Sequence, residues 1–98
     1  MPIVKKQHLT KGEGDSPGLE SFILVDKEKG SHSLRVGELT IAPNSRVARH
    51  VHTNTEEAMI IVEGTLDVIL GDERVTVGHG HTVLAPAGTV HGFLNRYQ

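Results

Sequence analysis

The 98-residue chain contains no cysteine and no tryptophan. Without thiols there is no disulfide framework and no thiolate ligand, so a bound transition metal has only nitrogen and oxygen to hold it. Aromatic side chains make up 3% of the sequence, and Phe22, Phe93 and Tyr97 are all of them. That removes the stacking platforms on which single-stranded nucleic acids bind, and it disfavours a sugar site built on aromatic faces. No basic run is present and the net charge is −2, so nucleic acid is not expected as a partner. The longest apolar run, residues 58–62, is far shorter than the roughly 20 residues that span a bilayer. No membrane association is expected. Residues 1–10 lack the apolar stretch of a secretion signal, and the expected location is cytoplasmic.

What the chain does have is a succession of short strand signals. Candidate strands cover residues 3–9, 19–25, 34–42, 47–52, 57–63, 65–70, 73–77, 82–85 and 90–95. Between them, residues 11–18 read as a loop by their glycine, serine and proline content, residues 26–30 as a charged turn, and Gly71-Asp72 as a two-residue hairpin loop. Within 34–42 the apolar parity switches at Gly37, which predicts a glycine bulge there. No segment has an apolar period of 3.6, so helix content should be low. Many short strands with regular turns predict an all-β sandwich or barrel in one domain, residues 1–98.

Chemistry concentrates in the second half. His50-Val51-His52 is followed by four residues and Glu57, then six residues and Gly64. Gly80 is followed by five residues, Pro86-Ala87-Gly88, two residues, His91, three residues and Asn95. Alternate strand residues share a face, so His50 and His52 are expected to project together. A short polar link then brings Glu57 beside them, and His91 arrives from another strand. Three imidazoles and a carboxylate make a metal site of nitrogen and oxygen donors.

This pair of patterns resembles the two motifs of the cupin family. The second, from Gly80 to Asn95, matches at every position. The first, over about 44–64, matches from His50 to Gly64 and departs only at its opening glycine, where Asn44 stands. Asparagine tolerates positive φ better than most residues, so the turn should survive. The resemblance implies a double-stranded β-helix (jelly-roll) barrel of the single-domain, cupin 2 type. It implies His50, His52, Glu57 and His91 as ligands of one divalent transition metal per chain, whether iron, manganese, nickel, copper, cobalt or zinc. The six-residue count to Gly64 favours Glu57 over Glu56 as the acidic ligand. On strand parity, Met59 and Ile61 share the face of Glu57, and Phe93 that of His91, which makes them candidate walls of a substrate pocket. Glu56 and Arg46 are the remaining candidates for an acid–base or anion-binding role, Arg46 because it shares parity with His50. His79 and His81 are read as exposed turn residues, and Asn95 as structural.

The function implied is a metal-dependent enzyme acting on a small organic substrate, of dioxygenase, isomerase or lyase type. The alternative is a non-catalytic small-molecule-binding or sensory module, since one fold hosts many activities. Residues 58–62 are apolar on both parities, and only three residues follow Asn95. The cupin resemblance implies a further strand after this asparagine. Either the sequence stops short of the natural end, or the uncovered strand face and missing strand predict a homodimer through strand exchange, with residues 3–9 as the exchanging segment.

Overall fold

The computed structural model describes residues 3–12 and 17–97. It contains two units, Met1–Ile41 and Ala42–Gln98. The strands in chain order are β1 (Leu19–Val25), β2 (Val36–Ile41), β3 (Ser45–His50), β4 (Glu57–Ile60), β5 (Thr65–Leu70), β6 (Glu73–Gly78), β7 (Thr82–Ala85) and β8 (His91–Asn95). Two 3-10 turns are the only helical structure among the described residues. Among the described residues no helix is long and apolar enough to cross a membrane.

In the first unit β1 and β2 form an antiparallel ribbon. The link between them begins with a 3-10 turn at Lys27–Lys29, capped by the Asp26 side chain, which accepts from the Lys29 backbone N–H at 3.2 Å. The irregularity expected at Gly37 falls on the opposite strand. Ile23 pairs with Gly37 and Val25 with Val36, so the extra residue is Leu24. The strand expected over residues 3–9 does not form. Lys6–His8 makes a 3-10 turn and its neighbours have no regular structure. This segment has too little apolar alternation to bury, and Ile3 is exposed. Lys6 is engaged instead with the Glu38 carboxylate and the face of Phe22. Residues 13–16, within the expected 11–18 loop, lie outside the described residues.

The second unit holds a four-stranded antiparallel sheet, ordered β3-β8-β5-β6, and a two-stranded ribbon of β4 and β7. The β5–β6 hairpin pairs without interruption from Thr65↔Gly78 to Leu70↔Glu73. Its loop is Gly71-Asp72, with Gly71 at φ 61; glycine at the first loop position is what a II′ turn requires. Asn44 adopts φ 62 and donates its backbone N–H to the Asn95 carbonyl at 2.6 Å. The turn at Asn44 therefore forms as expected and ties the start of β3 to the end of β8.

The pairing of β3 with β8 contains the feature that sets the site. Val47 is opposite Phe93 but His50 is opposite His91. Ala48 and Arg49 thus face the single residue Gly92, a β-bulge that bends the strand. A Cβ on Gly92 would come within 3.0 Å of the Val47 carbonyl and 3.3 Å of the Arg49 backbone. Any side chain there would push the two backbones apart by a few tenths of an ångström.

Val68, Val77, Val83, Ala85 and Phe93 are the buried apolar residues of this unit. Full burial of each valine or phenylalanine contributes about 1.5–3 kcal/mol. Residues 58–62 are apolar on both sides, but no described element covers their outer side: Ile60 and Val62 are 70% and 75% exposed. β4 itself stops at Ile60, three residues earlier than expected, although Ile61 still donates to the His81 carbonyl at 3.0 Å.

Candidate metal centre

Each of the four candidate ligands is placed by a different local device. His50 ends β3, and the bulge turns it to face His91, with the ring centres 4.2 Å apart. His91 opens β8 and is fully buried. His52 does not continue the strand of His50 as expected; it lies two residues past the end of β3. Its loop is secured by the second motif instead. The Gly88 backbone N–H, in the Pro-Ala-Gly turn, donates to the His52 carbonyl at 2.7 Å. Glu57 opens β4 opposite Ala85 of β7. One donor atom from each of these four residues lies within 4.8 Å of the others.

Two backbone carbonyls orient the rings. His50 Nδ1 donates to the Ala48 carbonyl at 2.8 Å, and His91 Nδ1 to the Thr89 carbonyl at 3.0 Å. A carbonyl only accepts, so Nδ1 is the donor in each ring, which leaves Nε2 as the nitrogen turned to the centre. His91 Nε2 and Glu57 Oε2 are hydrogen-bonded at 3.0 Å, the carboxylate accepting, and His52 Nε2 lies 3.5 Å from the same oxygen. With the shared proton displaced, both atoms are electron-pair donors aimed at one point. Two ligand atoms about 2.1 Å from one ion and at right angles are roughly 3 Å apart. The donor set therefore fits a borderline divalent cation. The side chains grade from 2% exposed at His91 to 41% at Glu57 and 47% at His52, so the centre is closed at its base and open toward His52.

The other candidates distribute around it. Met59 pairs with Val83 on the Glu57 side of β4, and Phe93 is buried beside His91 on the same face of β8. Ile61 is half-buried, beyond the end of β4 and roughly 13 Å along the chain from Glu57 at the strand rise. Glu56 is exposed just before β4. Arg46 is a correction. It pairs with Leu94, and the bulge between it and His50 reverses the parity, so it projects from the opposite side of the sheet to His91. His81 Nδ1 accepts from the Gly78 backbone N–H at 2.8 Å and belongs to the β6–β7 turn. Asn95 accepts the Tyr97 N–H at 3.0 Å, a structural role.

Sequence reasoning missed Asp67, the second fully buried polar side chain of the unit. It lies on the outer face of the four-stranded sheet, opposite Thr76 and Leu94. Arg96, then Tyr97 and Arg74, donate to it and hold its carboxyl well below the usual carboxylate range. A lone acid within the apolar run Thr65–Leu70 was the available signal, because a buried charge needs partners.

The profile of the Cupin domain family matches residues 37–98. The chain belongs to the cupin family. Its jelly-roll fold is shared with solved cupin structures. KdgF from Halomonas sp. is 18% identical with a TM-score of 0.83, over 95% of this chain and 80% of that one. The polyketide cyclase RemF from Streptomyces resistomycificus is 25% identical with a TM-score of 0.83, over 97% and 70%. A predicted oxalate decarboxylase from Thermotoga maritima is 21% identical, also at 0.83, over 96% and 87%. Among curated proteins, a mannose-1-phosphate guanylyltransferase of Salmonella muenchen is 32% identical over 60 residues. This cupin spans 61% of its own length in that match and only 13% of the relative's.

Proposed function

We propose that this cupin is a metal-dependent enzyme acting on a small organic substrate, with one divalent transition metal held by His50, His52, Glu57 and His91. The observation that carries the reading is the convergence of their four donor atoms within 4.8 Å in a centre open on one side. Such an ion, when bound, supplies Lewis acidity or a redox couple. The chain's own residues do the rest. The Ala48 and Thr89 carbonyls lock the rings of His50 and His91, so the centre is organised before substrate arrives. Glu57 contributes the only negative charge among the ligands, which leaves a divalent centre attractive to substrate oxygen. Met59 and Phe93 supply apolar surface that orients a carbon skeleton and limits water. No arginine or lysine of the second unit pairs onto the His91 face of its sheets. This favours a partly apolar substrate that chelates through its oxygens over a polyanion held by side-chain cations.

Likeness to a polyketide cyclase at 25% identity supports catalysis of a non-oxidative kind, within the isomerase or lyase classes. Glu56, exposed beside Glu57, is the side chain best placed to carry a proton to or from a substrate at the mouth. The test is elemental analysis after reconstitution with each metal, then a turnover screen of hydroxy- and oxo-substituted aromatic and β-dicarbonyl compounds. About one metal per chain and turnover of one class would support the reading. Absence of metal binding would overturn it. A second reading, a binding module without turnover, is favoured by the guanylyltransferase match, where the similar segment is a small part of a much longer protein. Saturable ligand binding with no product would select it.

The proposal includes a homodimer. Ile60, Val62 and Leu84 are 70%, 75% and 52% exposed and give a second copy an apolar face to cover. Light scattering of wild type and Ile60→Asp should show a dimer converted to monomer.

A further inference from the structure

The outer face of the four-stranded sheet gathers cations that are scattered in the sequence. All five lysines precede residue 30, while four of the five arginines fall between residues 46 and 96. The register puts Arg46 and Arg74 on one side, and side-chain contacts bring Arg49 and Arg96 to the same side. Arg46 is opposite Leu94, and Leu94 is opposite Asp67. Arg74 is opposite Ile69 on the next strand. Arg96 reaches back from the end of β8 to Asp67. Arg49 lines a shallow cavity of about 220 Å³ together with Ile69 and Arg74. Two acids of the hairpin, Asp72 and Glu73, also border it.

Asp67 is 1% exposed and fully used. Its Oδ2 accepts from Arg74 Nε at 3.1 Å, Arg74 Nη2 at 2.8 Å and Arg96 Nε at 2.7 Å. Its Oδ1 accepts from Thr76 at 3.0 Å and the Tyr97 hydroxyl at 2.7 Å. One carboxylate therefore pins two guanidiniums side by side, and Arg96 also lies over the Tyr97 ring at 4.9 Å. Both side chains remain more than half exposed, at 55% and 56%. Their remaining N–H edges point to solvent from fixed positions, so little rotamer entropy is left to lose on binding. Arg46 and Arg49 make no ion pair or side-chain hydrogen bond among the described residues.

We propose that this face is a docking surface for an acidic segment of a partner protein, whose carboxylates take the free guanidinium edges of Arg74 and Arg96 and the flanking Arg46 and Arg49. The cations extend over four strands, about 14 Å at the usual strand spacing, which is too wide for one small anion. Half-buried Leu94 and Ile69 lie among them and Tyr97 borders them. Arginine, tyrosine and aliphatic residues without lysine are the composition of a protein–protein interface core. A surface that only follows a polyanion backbone needs charge alone and has no use for the apolar residues.

The test uses the full chain and a labelled synthetic peptide of alternating glutamate and leucine, read by fluorescence anisotropy at about 150 mM salt, where the Debye length is about 8 Å. Saturable binding is expected, weakened at least about tenfold when glutamine replaces glutamate in the peptide and by the double variant Arg46→Ala/Arg49→Ala. The variant Arg46→Lys/Arg49→Lys keeps the charge and should still lose several-fold, since lysine cannot fork onto a carboxylate. Thermal melts and metal content of these variants should match wild type, which separates the result from misfolding and from the metal reading. The proposal is overturned by no saturable binding, by equal binding of the glutamine peptide, or by variants that bind like wild type. Tighter binding of a sulfated oligosaccharide or single-stranded DNA at the same residues also overturns it in favour of a general polyanion site.

Discussion

Glu57 and Asp67 lie in the same unit of one small chain, yet their surroundings are opposite in kind. Five hydrogen bonds from four side chains reach Asp67, including two guanidiniums on one oxygen. The polar groups that meet Glu57 are imidazoles: His91 Nε2 is hydrogen-bonded to its Oε2 at 3.0 Å, and His52 Nε2 lies 3.5 Å away. The first carboxylate has its counter-charge built in. The second is met by no guanidinium or ammonium among the described residues, only by imidazole rings, with those of His50 and His91 held in place by backbone carbonyls. The contrast gives a working distinction between a structural and a functional acid. Burial alone does not separate them, but the chemistry of the nearest atoms does.

Four experiments would break or sharpen that distinction, the largest expected effect first. His91→Ala should reduce bound metal from about one per chain to below about a tenth, by elemental analysis, because ligand loss costs more than the 10–100-fold of outer-shell losses. Asp67→Asn should leave metal content unchanged and lower Tm clearly. The Asp67 carboxyl is lowered in the fold, so its contribution is complete above the unfolded value near pH 4 and shrinks as pH falls below it. Melts of wild type and Asp67→Asn should therefore converge toward pH 2. Metal loss in Asp67→Asn would erase the division between the two acids. Third, a metal held at 100 times its Kd stabilises by about 2.7 kcal/mol, so a chelator should lower the wild-type Tm by about 10–20 °C. The same chelator should leave Glu57→Gln almost unmoved. The smallest change belongs to Thr76→Val, which removes one of the five bonds to Asp67 and should cost up to about 1 kcal/mol by denaturant melts, with metal content untouched.

The four candidate ligands were legible because their spacing encodes short-range geometry. A histidine pair, a polar link and an acid at a strand start need only the local chain to come near one another. Gly88 was legible as a turn residue, but its bond to His52 was not, since that bond crosses from one motif to the other. Arg46 was misassigned for a physical reason. Parity arguments count steps along a strand, and one extra residue at Ala48-Arg49 reverses every side chain beyond it. The clue was on the partner strand, where Gly92 sits between two buried residues with no side chain to pack. Residues 3–9 failed as a strand because propensity without a buried face does not hold one together. The arginine face could not be read at all, because Arg46 and Arg49 come from β3, Arg74 from β6 and Arg96 from beyond β8, and they meet only through the fold.

The β5–β6 hairpin has six consecutive pairs, a two-residue loop and no irregularity. It contains none of the four metal-binding candidates, yet it separates His50, His52 and Glu57 from His91 along the chain. In time, that arrangement sets an order of events. A hairpin this local closes in about 1–10 μs, whereas pairing His91 with His50 requires closing a loop that contains the hairpin itself. The hairpin becomes the surface onto which β8 docks, and β3 can add only to the far side of β8. The binding centre is consequently the last part of the unit to come together. In hydrogen exchange it should also be the first to open, with the amides of β3 losing protection before those shared by β5 and β6.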